Sequence, residues 1–313
     1  MEDKKRVIIT GGGGQDARLL LEYLSDSNEY EIHYVGGEIA DNVKAHYTLD
    51  LSLRKASYLL AYLRPDYWFN FAALSSPKQS CDDPIKTLHI NTMGVAYQLQ
   101  AIKEYAPLCR YFNAGSILET DQYGSVFDPK TPYAISKLAA HQILNFYRQQ
   151  GLYAVQGILG LHESKLREGD FLFKRIVTEA KQIAVALEKQ EKFEPISVYN
   201  PNSLINTSLA KDVVEIIWQS MQWDNPEDFI IQSSCPIYLR EFIEKTFEKL
   251  NIDCYWSGDN LIIPDYIWND LKPKSGVLAR VENNEPPKPK SLRVPLNRYW
   301  TDSSIDKIIS ELV

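Results

Sequence analysis

The sequence is short of the residues that build covalent or metal-linked frameworks. It has four cysteines among 313 residues, and no two of them form a CxxC pair. Its five histidines show neither HxxxH nor HExxH spacing. Such spacings are typical of zinc sites, and disulfide frameworks need paired cysteines in an oxidising compartment. We therefore expect no metal centre, no disulfide framework and a cytoplasmic protein.

Long apolar runs and an excess of positive charge are also missing. No uninterrupted apolar run reaches the length of a membrane span, and the charged residues in 1–6 leave no room for the apolar part of a signal peptide. The net charge is −7, which disfavours broad contact with nucleic acid or anionic lipid. We expect a soluble protein without a nucleic-acid or membrane partner, although a local basic pocket could still bind a small anion.

Short apolar runs alternate with longer amphipathic stretches through the first half of the chain. We expect the runs to be strands, at 7–10, 32–35, 67–73, 110–114 and 153–159. This alternation is typical of βα units, in which helices cover both faces of a parallel sheet. The chain is also longer than a single core usually grows. The prediction is an α/β fold, with a Rossmann-type doubly wound parallel sheet and a smaller mixed α/β C-terminal lobe.

Four successive glycines follow the first apolar run and precede a helical stretch that begins near Ala17. Gly11, Gly14 and Ala17 form a G-x-x-G-x-x-A pattern. Absent side chains in this position let the backbone approach a pyrophosphate at a helix N-terminus, whereas the same glycines alone would indicate only a turn. The context favours a dinucleotide site.

The residues after the next two apolar runs indicate which dinucleotide would bind. Glu38 lies 21 residues beyond Ala17, where an acid can accept hydrogen bonds from the adenosine ribose. No lysine or arginine lies between Tyr34 and Val43 to neutralise a 2′-phosphate, so NAD is favoured over NADP. Glu38 could instead be a solvated loop charge. Asp50 and Leu51 are expected to meet the adenine, or Asp50 could be a helix cap.

A candidate catalytic set lies between residues 116 and 137. Tyr133 and Lys137 are four residues apart at the start of a predicted helix, so their side chains share a face. Ser116 follows the fourth of the five apolar runs, at the edge where ligand sites of open α/β sheets occur. A nearby ammonium favours the phenolate form of a tyrosine, and Tyr133 could then take a proton from a substrate hydroxyl held by Ser116. An exposed Tyr–Lys helical pair is the alternative.

The two halves of the chain are expected to have different roles. Residues 1–165 form the NAD-binding Rossmann domain with the catalytic Ser, Tyr and Lys, and 166–313 are mainly a substrate lobe, with some chain returning to the first domain. Helices are expected in the second half at 171–187, 211–221 and 239–250, with an exposed loop at 283–290. The helical stretches 92–105 and 136–149 are either core helices or a dimer face.

Several segments together resemble the extended short-chain dehydrogenases/reductases, and within them the GDP-mannose 4,6-dehydratase family. The matching segments span about residues 5–255 and are Gly14-Gln15-Asp16, 64–66 followed by 70–73, 133–138, 157–159, 162–164, 210–214 and 240–242. The resemblance implies an NAD-dependent enzyme of carbohydrate biosynthesis that oxidises C4 of a nucleotide sugar, loses water between C5 and C6, and returns the hydride to C6. It also implies a homodimer or homotetramer.

The resemblance also implies roles for individual residues. The catalytic residues would be Ser116, Tyr133, Lys137 and Glu119. The cofactor would be bound by Gly11, Gly14, Gln15, Asp16, Glu38, Asp50, Leu51, Ala72, Ala73, Asn91, Tyr133 and Lys137. The nucleotide sugar, a GDP-sugar by resemblance, would be bound by Ser75, Glu163, Lys174, Arg175 and Arg298.

Departures from the family pattern leave alternatives for the reaction. The family has Thr-x-Glu after the catalytic strand, whereas Ser116 is followed by Glu119 one position late. A rebuilt loop could turn Glu119 or Asp121 toward the sugar. Leu161 and Ile205 replace an asparagine and an arginine of the substrate site. The leading hypothesis is a GDP-hexose 4,6-dehydratase. The alternatives are a GDP-sugar C4 oxidase or an epimerase that works through a 4-keto intermediate, and a non-catalytic dinucleotide-binding protein.

Overall fold

An eight-stranded sheet with helices on both faces is the main feature of the first of two units in the chain. The computed structural model describes residues 4–38, 40–120, 129–167, 171–263, 277–281, 297–301 and 304–313. The first unit contains the described residues of 1–160, 210–232 and 290–300. The second contains those of 161–209, 233–289 and 301–313. The functional roles expected for two domains stay a prediction.

The strands of the large sheet lie in the order β16-β11-β6-β5-β4-β1-β2-β3. The neighbouring pairs from β11 to β3 are all parallel. The strand bounds are β1 Lys5–Thr10, β2 Tyr30–Val35, β3 Ala45–Tyr47, β4 Tyr67–Asn70, β5 Arg110–Ala114, β6 Ala154–Leu159, β11 Phe229–Ser233 and β16 Asn297–Thr301. The chain reverses its direction of strand addition between β3 and β4, as in a doubly wound sheet.

The helices of the first unit connect these parallel strands. They are α1 Gln15–Ser25, α2 Arg54–Ala61, α3 Pro77–Ser80, α4 Pro84–Leu88, α5 Gly94–Tyr105, α6 Pro132–Gln149 and α8 Ala210–Ser220. A π-helical turn, His89–Met93, joins α4 to α5, so the helical stretch predicted at 92–105 begins earlier than expected. Helix α6 also begins four residues before the predicted 136, because Thr131 caps its N-terminus and Pro132 occupies its first turn.

Alternate residues of each strand point to opposite faces of the sheet and into two different cores. Val7 and Ile9 pack with α1 and α8 on one face. Ile8 packs on the other face with Trp68, Tyr111 and the helices α2, α5 and α6. All three β1 residues are fully buried. This two-sided burial explains why the strands read as continuous apolar runs, and it confirms the predicted Rossmann-type sheet.

The second unit is a smaller mixed α/β structure around its own apolar core. Its strands form a four-stranded sheet in the order β13-β14-β15-β8 and two small sheets that pair β10 with β7 and β12 with β9. The strand bounds are β7 Leu161–Glu163, β8 Ile196–Val198, β9 Leu204–Ile205, β10 Thr207–Leu209, β12 Ile237–Tyr238, β13 Tyr255–Ser257, β14 Asn260–Ile262 and β15 Val277–Val281. The helices are α7 Leu172–Glu188, α9 Leu239–Lys249 and α10 Ile305–Leu312.

The structure bears on several expectations from the sequence. Helices α7, α8 and α9 agree with the predicted stretches to within one residue at each end. The loop expected at 283–290 lies outside the described residues. Among the helices that the structure describes, none combines the length and apolarity needed to cross a membrane.

Candidate active site

The glycine-rich loop joins β1 to α1 and packs tightly against the end of β2. Gly12 N donates to Val35 O at 2.9 Å, and Tyr34 OH donates to Gly12 O at 2.9 Å. A Cβ on Gly12 would lie 2.2 Å from Gly36 O and 2.5 Å from Tyr34 Cε1, so only glycine fits. The loop thus presents bare backbone at the N-terminus of an eleven-residue helix. This cradle fits the pyrophosphate of a dinucleotide.

The other predicted cofactor residues of the loops follow β2, β3 and β4 at the same edge of the sheet. Glu38 is exposed, and Leu51, Ala72 and Ala73 are half-buried. Asp50 Oδ1 accepts hydrogen bonds from Ser52 Oγ at 2.6 Å and Ser52 N at 2.9 Å, and these bonds lower the pKa of Asp50. Asp50 therefore shapes the turn before α2. The structure brings these residues to the edge where doubly wound sheets bind their ligands.

Asn91 lies in the π-helical turn and joins two parts of the site. Its Oδ1 accepts from Leu74 N at 2.8 Å, and its Nδ2 donates to Leu74 O at 3.1 Å and to Ser136 Oγ at 2.9 Å. The side chain is buried. Asn91 thus ties the segment after β4 to helix α6, and its predicted contact with the cofactor stays a prediction.

Helix α6 places Tyr133 and Lys137 in buried positions. Thr131 Oγ1 accepts from Ala134 N at 3.2 Å, and Tyr133 N donates to Ser80 Oγ at 3.1 Å, so the first turn is fixed at both sides. Tyr133 is 8% exposed and Lys137 is 6% exposed. The exposed Tyr–Lys pair considered as an alternative is therefore wrong.

Lys137 links Tyr133 to the strand that leads to Ser116. Its Nζ lies 5.8 Å from the centroid of the Tyr133 ring and donates to Ala114 O, the last residue of β5, at 2.7 Å. Burial lowers the pKa of Lys137 to about 8, against the opposite effect of the Glu119 and Asp16 charges. The amine thus lies beside the phenol whose ionisation its ammonium form would favour.

Ser116 caps the N-terminus of a short 3₁₀ turn, Ile117–Glu119, that follows β5 and ends at Glu119. Ser116 Oγ accepts from Leu118 N at 3.2 Å, and Ser116 N donates to Glu119 Oε1 at 3.2 Å. Gln156 Nε2 lies 3.1 Å from both oxygens of Glu119. Glu119 has no exposed surface. Burial raises its pKa, although the charges of His141 and Lys137 and the bonds from Gln156 and Ser116 act in the opposite direction. Its predicted catalytic role stays a prediction.

His141 lies one helical turn beyond Lys137 and faces two acids. Its Nε2 lies 2.9 Å from Asp228 Oδ2, and its Nδ1 lies 3.9 Å from Glu119 Oε2. Burial lowers the pKa of His141, but the hydrogen bond to Asp228 and the charges of both acids outweigh it and raise the pKa above its ordinary value. Burial acts to raise the pKa of Asp228, yet the hydrogen bonds from His141 and Arg148 lower it to about 2. The sequence gives no signal for this pairing across 87 residues.

A row of buried polar side chains, which we call the amide ladder, crosses the sheet and ends at Glu119. Thr10 Oγ1 donates to Asn70 Oδ1 at 2.7 Å, Asn70 Nδ2 to Asn113 Oδ1 at 2.8 Å, and Asn113 Nδ2 to Gln156 Oε1 at 2.8 Å. These residues are direct neighbours on β1, β4, β5 and β6. Gln156 then donates to Glu119. Every bond of the ladder runs in the same direction, toward the Glu119 carboxylate.

The predicted substrate residues are divided between the units. Ser75 is exposed in the first unit. Glu163 is buried on β7 in the second unit, and its Oε2 lies 3.9 Å from Arg167 Nε. On α7, Lys174 Nζ donates to Lys165 O at 3.4 Å.

Two predicted ligands of the diphosphate remain. Arg175 on α7 pairs with Glu179 at 3.2 Å and donates to Ser197 O at 3.2 Å. Arg298 lies in β16, and its side chain is outside the described part of the chain. Asp121, suggested as an alternative acid, is also outside it. Within the described residues, no group of three or more His, Cys, Asp or Glu side chains could hold a metal ion.

A family model described as GDP-mannose 4,6 dehydratase matches residues 8–265 of the chain. A GDP-mannose 4,6-dehydratase from Vibrio cholerae is 27% identical over 98% of this chain and 87% of its own length. Another, from Vibrio cholerae serotype O1, is 30% identical over 82% of this chain and 74% of its own length.

Solved structures show the same fold at low sequence identity. UDP-glucose 4-epimerase from Thermotoga maritima with UDP-glucose gives a TM-score of 0.73 at 16% identity, covering 98% of this chain and 97% of that one. RMD from Pseudomonas aeruginosa with NADPH gives a TM-score of 0.71 at 16% identity, covering 99% of this chain and 98% of that one. dTDP-glucose 4,6-dehydratase from Bacillus anthracis with NAD gives a TM-score of 0.67 at 16% identity, covering 98% of this chain and 90% of that one.

Proposed function

Because the chain belongs to the GDP-mannose 4,6 dehydratase family, we propose that it is an NAD-dependent 4,6-dehydratase of a GDP-hexose. The observation that carries the proposal is the buried link from Tyr133 through Lys137 to Ala114, two residues before Ser116. This link puts a cation beside a phenol at the edge of the sheet that carries the glycine-rich loop. Such a set of side chains can remove the proton of a sugar hydroxyl while a hydride leaves the carbon that bears this hydroxyl.

Binding of the dinucleotide is proposed at the loops that follow β1 to β4. The bare backbone at Gly12 supports a pyrophosphate there, and the acid at Glu38 supports NAD because a carboxylate would repel a 2′-phosphate. Of the similar structures described above, that of dTDP-glucose 4,6-dehydratase contains NAD and that of RMD contains NADPH. Measured affinities for the two dinucleotides test this choice, and tighter binding of NADP would contradict it.

The proposed chemistry assigns separate tasks to three side chains. Tyr133, as the phenolate, takes the proton of the C4 hydroxyl, and Ser116 holds that oxygen with its own hydroxyl. The Lys137 ammonium favours the phenolate by charge. Bound NAD would supply the acceptor for the C4 hydride and the donor that returns it to C6. The C5 proton and the C6 hydroxyl would leave as one water, which gives a C5–C6 double bond beside the C4 ketone. Return of the hydride to C6 and of a proton to C5 would then give a 4-keto-6-deoxy sugar.

Binding of the nucleotide sugar is proposed to involve Ser75, Glu163, Lys174, Arg175 and Arg298. The cations among them can meet a diphosphate, because charge-assisted hydrogen bonds to phosphate oxygens are short and strong. Arg175 would have to exchange part of its pairing with Glu179 for such a contact. Substitution of Arg175 by alanine should raise KM for the sugar more than it lowers kcat.

A homodimer or homotetramer is also proposed. Helix α6 carries Phe146, which is 57% exposed, and Ile135, which is 43% exposed, and these apolar side chains could pack against a second copy. The mass in solution, measured by light scattering, tests this proposal. A monomeric mass at micromolar concentration would contradict it.

The reaction is tested by mass spectrometry of products after incubation with NAD and a panel of GDP-hexoses. Loss of one water supports the dehydratase. Loss of two hydrogens would identify a C4 oxidase, and an unchanged mass with altered stereochemistry an epimerase. If no sugar changes either the product mass or the nicotinamide absorbance, the chain would be a dinucleotide-binding protein without this activity. Tyr133→Phe, which removes only the phenol oxygen, is the matched control.

A further inference from the structure

The carboxylate of Glu119 is enclosed by groups of the chain itself. It has no exposed surface, and Ser116 N and Gln156 Nε2 both donate to it. A Cβ on Gly115 would lie only 2.3 Å from Glu119 Oε1, so backbone covers another side. A general base must reach the proton that it removes, within hydrogen-bond distance or through one water. The placement of Glu119 fits a group that acts on its neighbours better than one that acts on the sugar.

We infer that Glu119 is a positioning residue for the catalytic set: enclosed by Ser116 N, Gln156 and His141 at the end of the amide ladder, it fixes the turn that carries the Ser116 hydroxyl and adds an acidic group to the surroundings of Lys137, beside Tyr133. This inference rests on the proposed function for its catalytic part. The inferred ionic contact between Glu119 and His141 does not depend on any substrate.

The effect on Ser116 is geometric. The Glu119 carboxylate accepts from Ser116 N at 3.2 Å, while Ser116 Oγ accepts from Leu118 N at 3.2 Å in the same turn. Gln156 holds the carboxylate from β6, and the ladder holds Gln156 through Asn113. The position of the Ser116 hydroxyl is therefore coupled to four strands of the sheet. A site whose supporting hydrogen bonds lock its side chains keeps the geometry that catalysis needs.

The effect on Lys137 is electrostatic. Burial favours the neutral amine, and two acids oppose it, Glu119 and Asp16 on α1. The charged and titratable groups that act on Glu119 itself are Lys137 and His141, both on α6, and it accepts hydrogen bonds from Ser116 N and Gln156. His141 in turn faces Asp228 and Arg148. His141 Nδ1 lies 3.9 Å from Glu119 Oε2, so a protonated His141 and the Glu119 carboxylate each favour the charged form of the other, and the Glu119 charge likewise raises the pKa of Lys137.

The first experiment reads the ionic contact without any substrate or cofactor turnover. The C–H signals of the five histidine rings are followed by NMR from pH 5 to pH 9 in the full-length protein, and His141 is assigned with the His141→Gln variant. Replacement of Glu119 by glutamine removes a charge that raises the His141 pKa, so its midpoint should fall, while the other four histidines stay unchanged. An unchanged His141 midpoint would overturn the inference.

The second experiment compares Glu119→Gln with Glu215→Gln. Glu215 is an exposed carboxylate on α8, and its variant serves as the matched control. Nicotinamide absorbance reports hydride transfer from C4, and deuterium uptake in D₂O reports removal of the C5 proton. A positioning role predicts at least a tenfold slower hydride transfer in Glu119→Gln. It also predicts that the high-pH limb of the rate profile moves to lower pH, because the Lys137 pKa falls. The control should match the wild-type rate.

A different outcome would assign Glu119 to the chemistry on C5. If hydride transfer stayed at the wild-type rate while deuterium uptake and water loss stopped, Glu119 would be the base and the inference would be wrong. If Glu119→Gln did not fold, Gly115→Ala, which displaces the same carboxylate, replaces it in both experiments. If the wild-type protein transferred no hydride from any sugar, the proposed function would fail, and the histidine titration would still decide the ionic contact.

Discussion

Two parts of the same sheet edge have their local structure fixed in opposite ways. At β1 and β2 the structure depends on missing side chains: a Cβ on Gly12 has no room beside Gly36 O and Tyr34. At β4, β5 and β6 it depends on side chains that are fully buried and hydrogen-bonded, from Asn70 through Asn113 to Gln156. A ligand phosphate needs close approach to backbone, whereas proton transfer needs fixed side chains. The difference shows that neighbouring strands of one fold can be specialised separately.

The largest effect is expected from Tyr133→Phe, which should affect the catalytic part and spare the dinucleotide-binding part. Loss of the phenol oxygen removes the proposed proton acceptor, so the rate of hydride transfer should fall by about 10²–10⁴-fold. Stopped-flow absorbance of the nicotinamide measures this rate, and fluorescence titration measures NAD affinity, which should change less than about threefold. A rate close to that of the wild type would remove Tyr133 from the mechanism.

The converse change is Gly12→Ala, which should affect the dinucleotide-binding part first. The added Cβ would lie 2.2 Å from Gly36 O, so the loop must shift, and NAD affinity should fall by at least about tenfold, or about 1.4 kcal/mol. Gly13→Ala is the matched control, because the nearest atom to its Cβ would be Gly37 Cα at 3.7 Å. Calorimetric titration with NAD compares the two variants. Equal affinities would show that the packing of Gly12 does not shape the binding site.

The amide ladder should be sensitive to a single deletion. Asn113→Ala removes the acceptor of Asn70 Nδ2 and the donor to Gln156 Oε1 and leaves both groups buried, so the free energy of unfolding should fall by about 3 kcal/mol. Urea denaturation measures the loss. In a double-mutant cycle with Asn70→Ala the second substitution should cost less than the first, because its partner is already gone. Additive effects would mean that the ladder does not act as a unit.

A smaller effect is expected from the pH dependence at Asp228. Its folded pKa, about 2, lies below the ordinary value because His141 and Arg148 donate to it. A lowered folded pKa contributes stability above the unfolded pKa, and this stability is lost as the pH falls through the folded pKa. The free energy of unfolding of the wild type should therefore exceed that of Asp228→Asn by about 2 kcal/mol near neutral pH, and this difference should shrink below about pH 4. A constant difference from pH 6 to pH 3 would contradict the ion pairing.

Much of this arrangement can be predicted from local patterns, and the rest depends on contacts between distant segments. The glycine-rich loop and the Tyr133–Lys137 spacing are local, because each follows from neighbouring positions in one strand–turn–helix unit. The direction of the Glu119 side chain is not, since it depends on Gln156 and His141 from two other elements. The ladder had a partial signal: Asn70, Asn113 and Gln156 are polar residues within or near otherwise apolar runs. Only the sheet register shows that they are neighbours.

The π-helical turn at His89–Met93 amounts to one extra residue in an otherwise regular helix. An α-helix advances about 100° per residue, so an insertion of one rotates everything beyond it by about that angle. Thr87 before the turn and Val95 after it can thus both be buried. Deleting one residue here would restore a regular helix yet turn Asn91 away from Leu74 and Ser136. Such a deletion would leave the helix regular, but it would break the Asn91 hydrogen bonds that join the segment after β4 to α6, the helix that carries Tyr133.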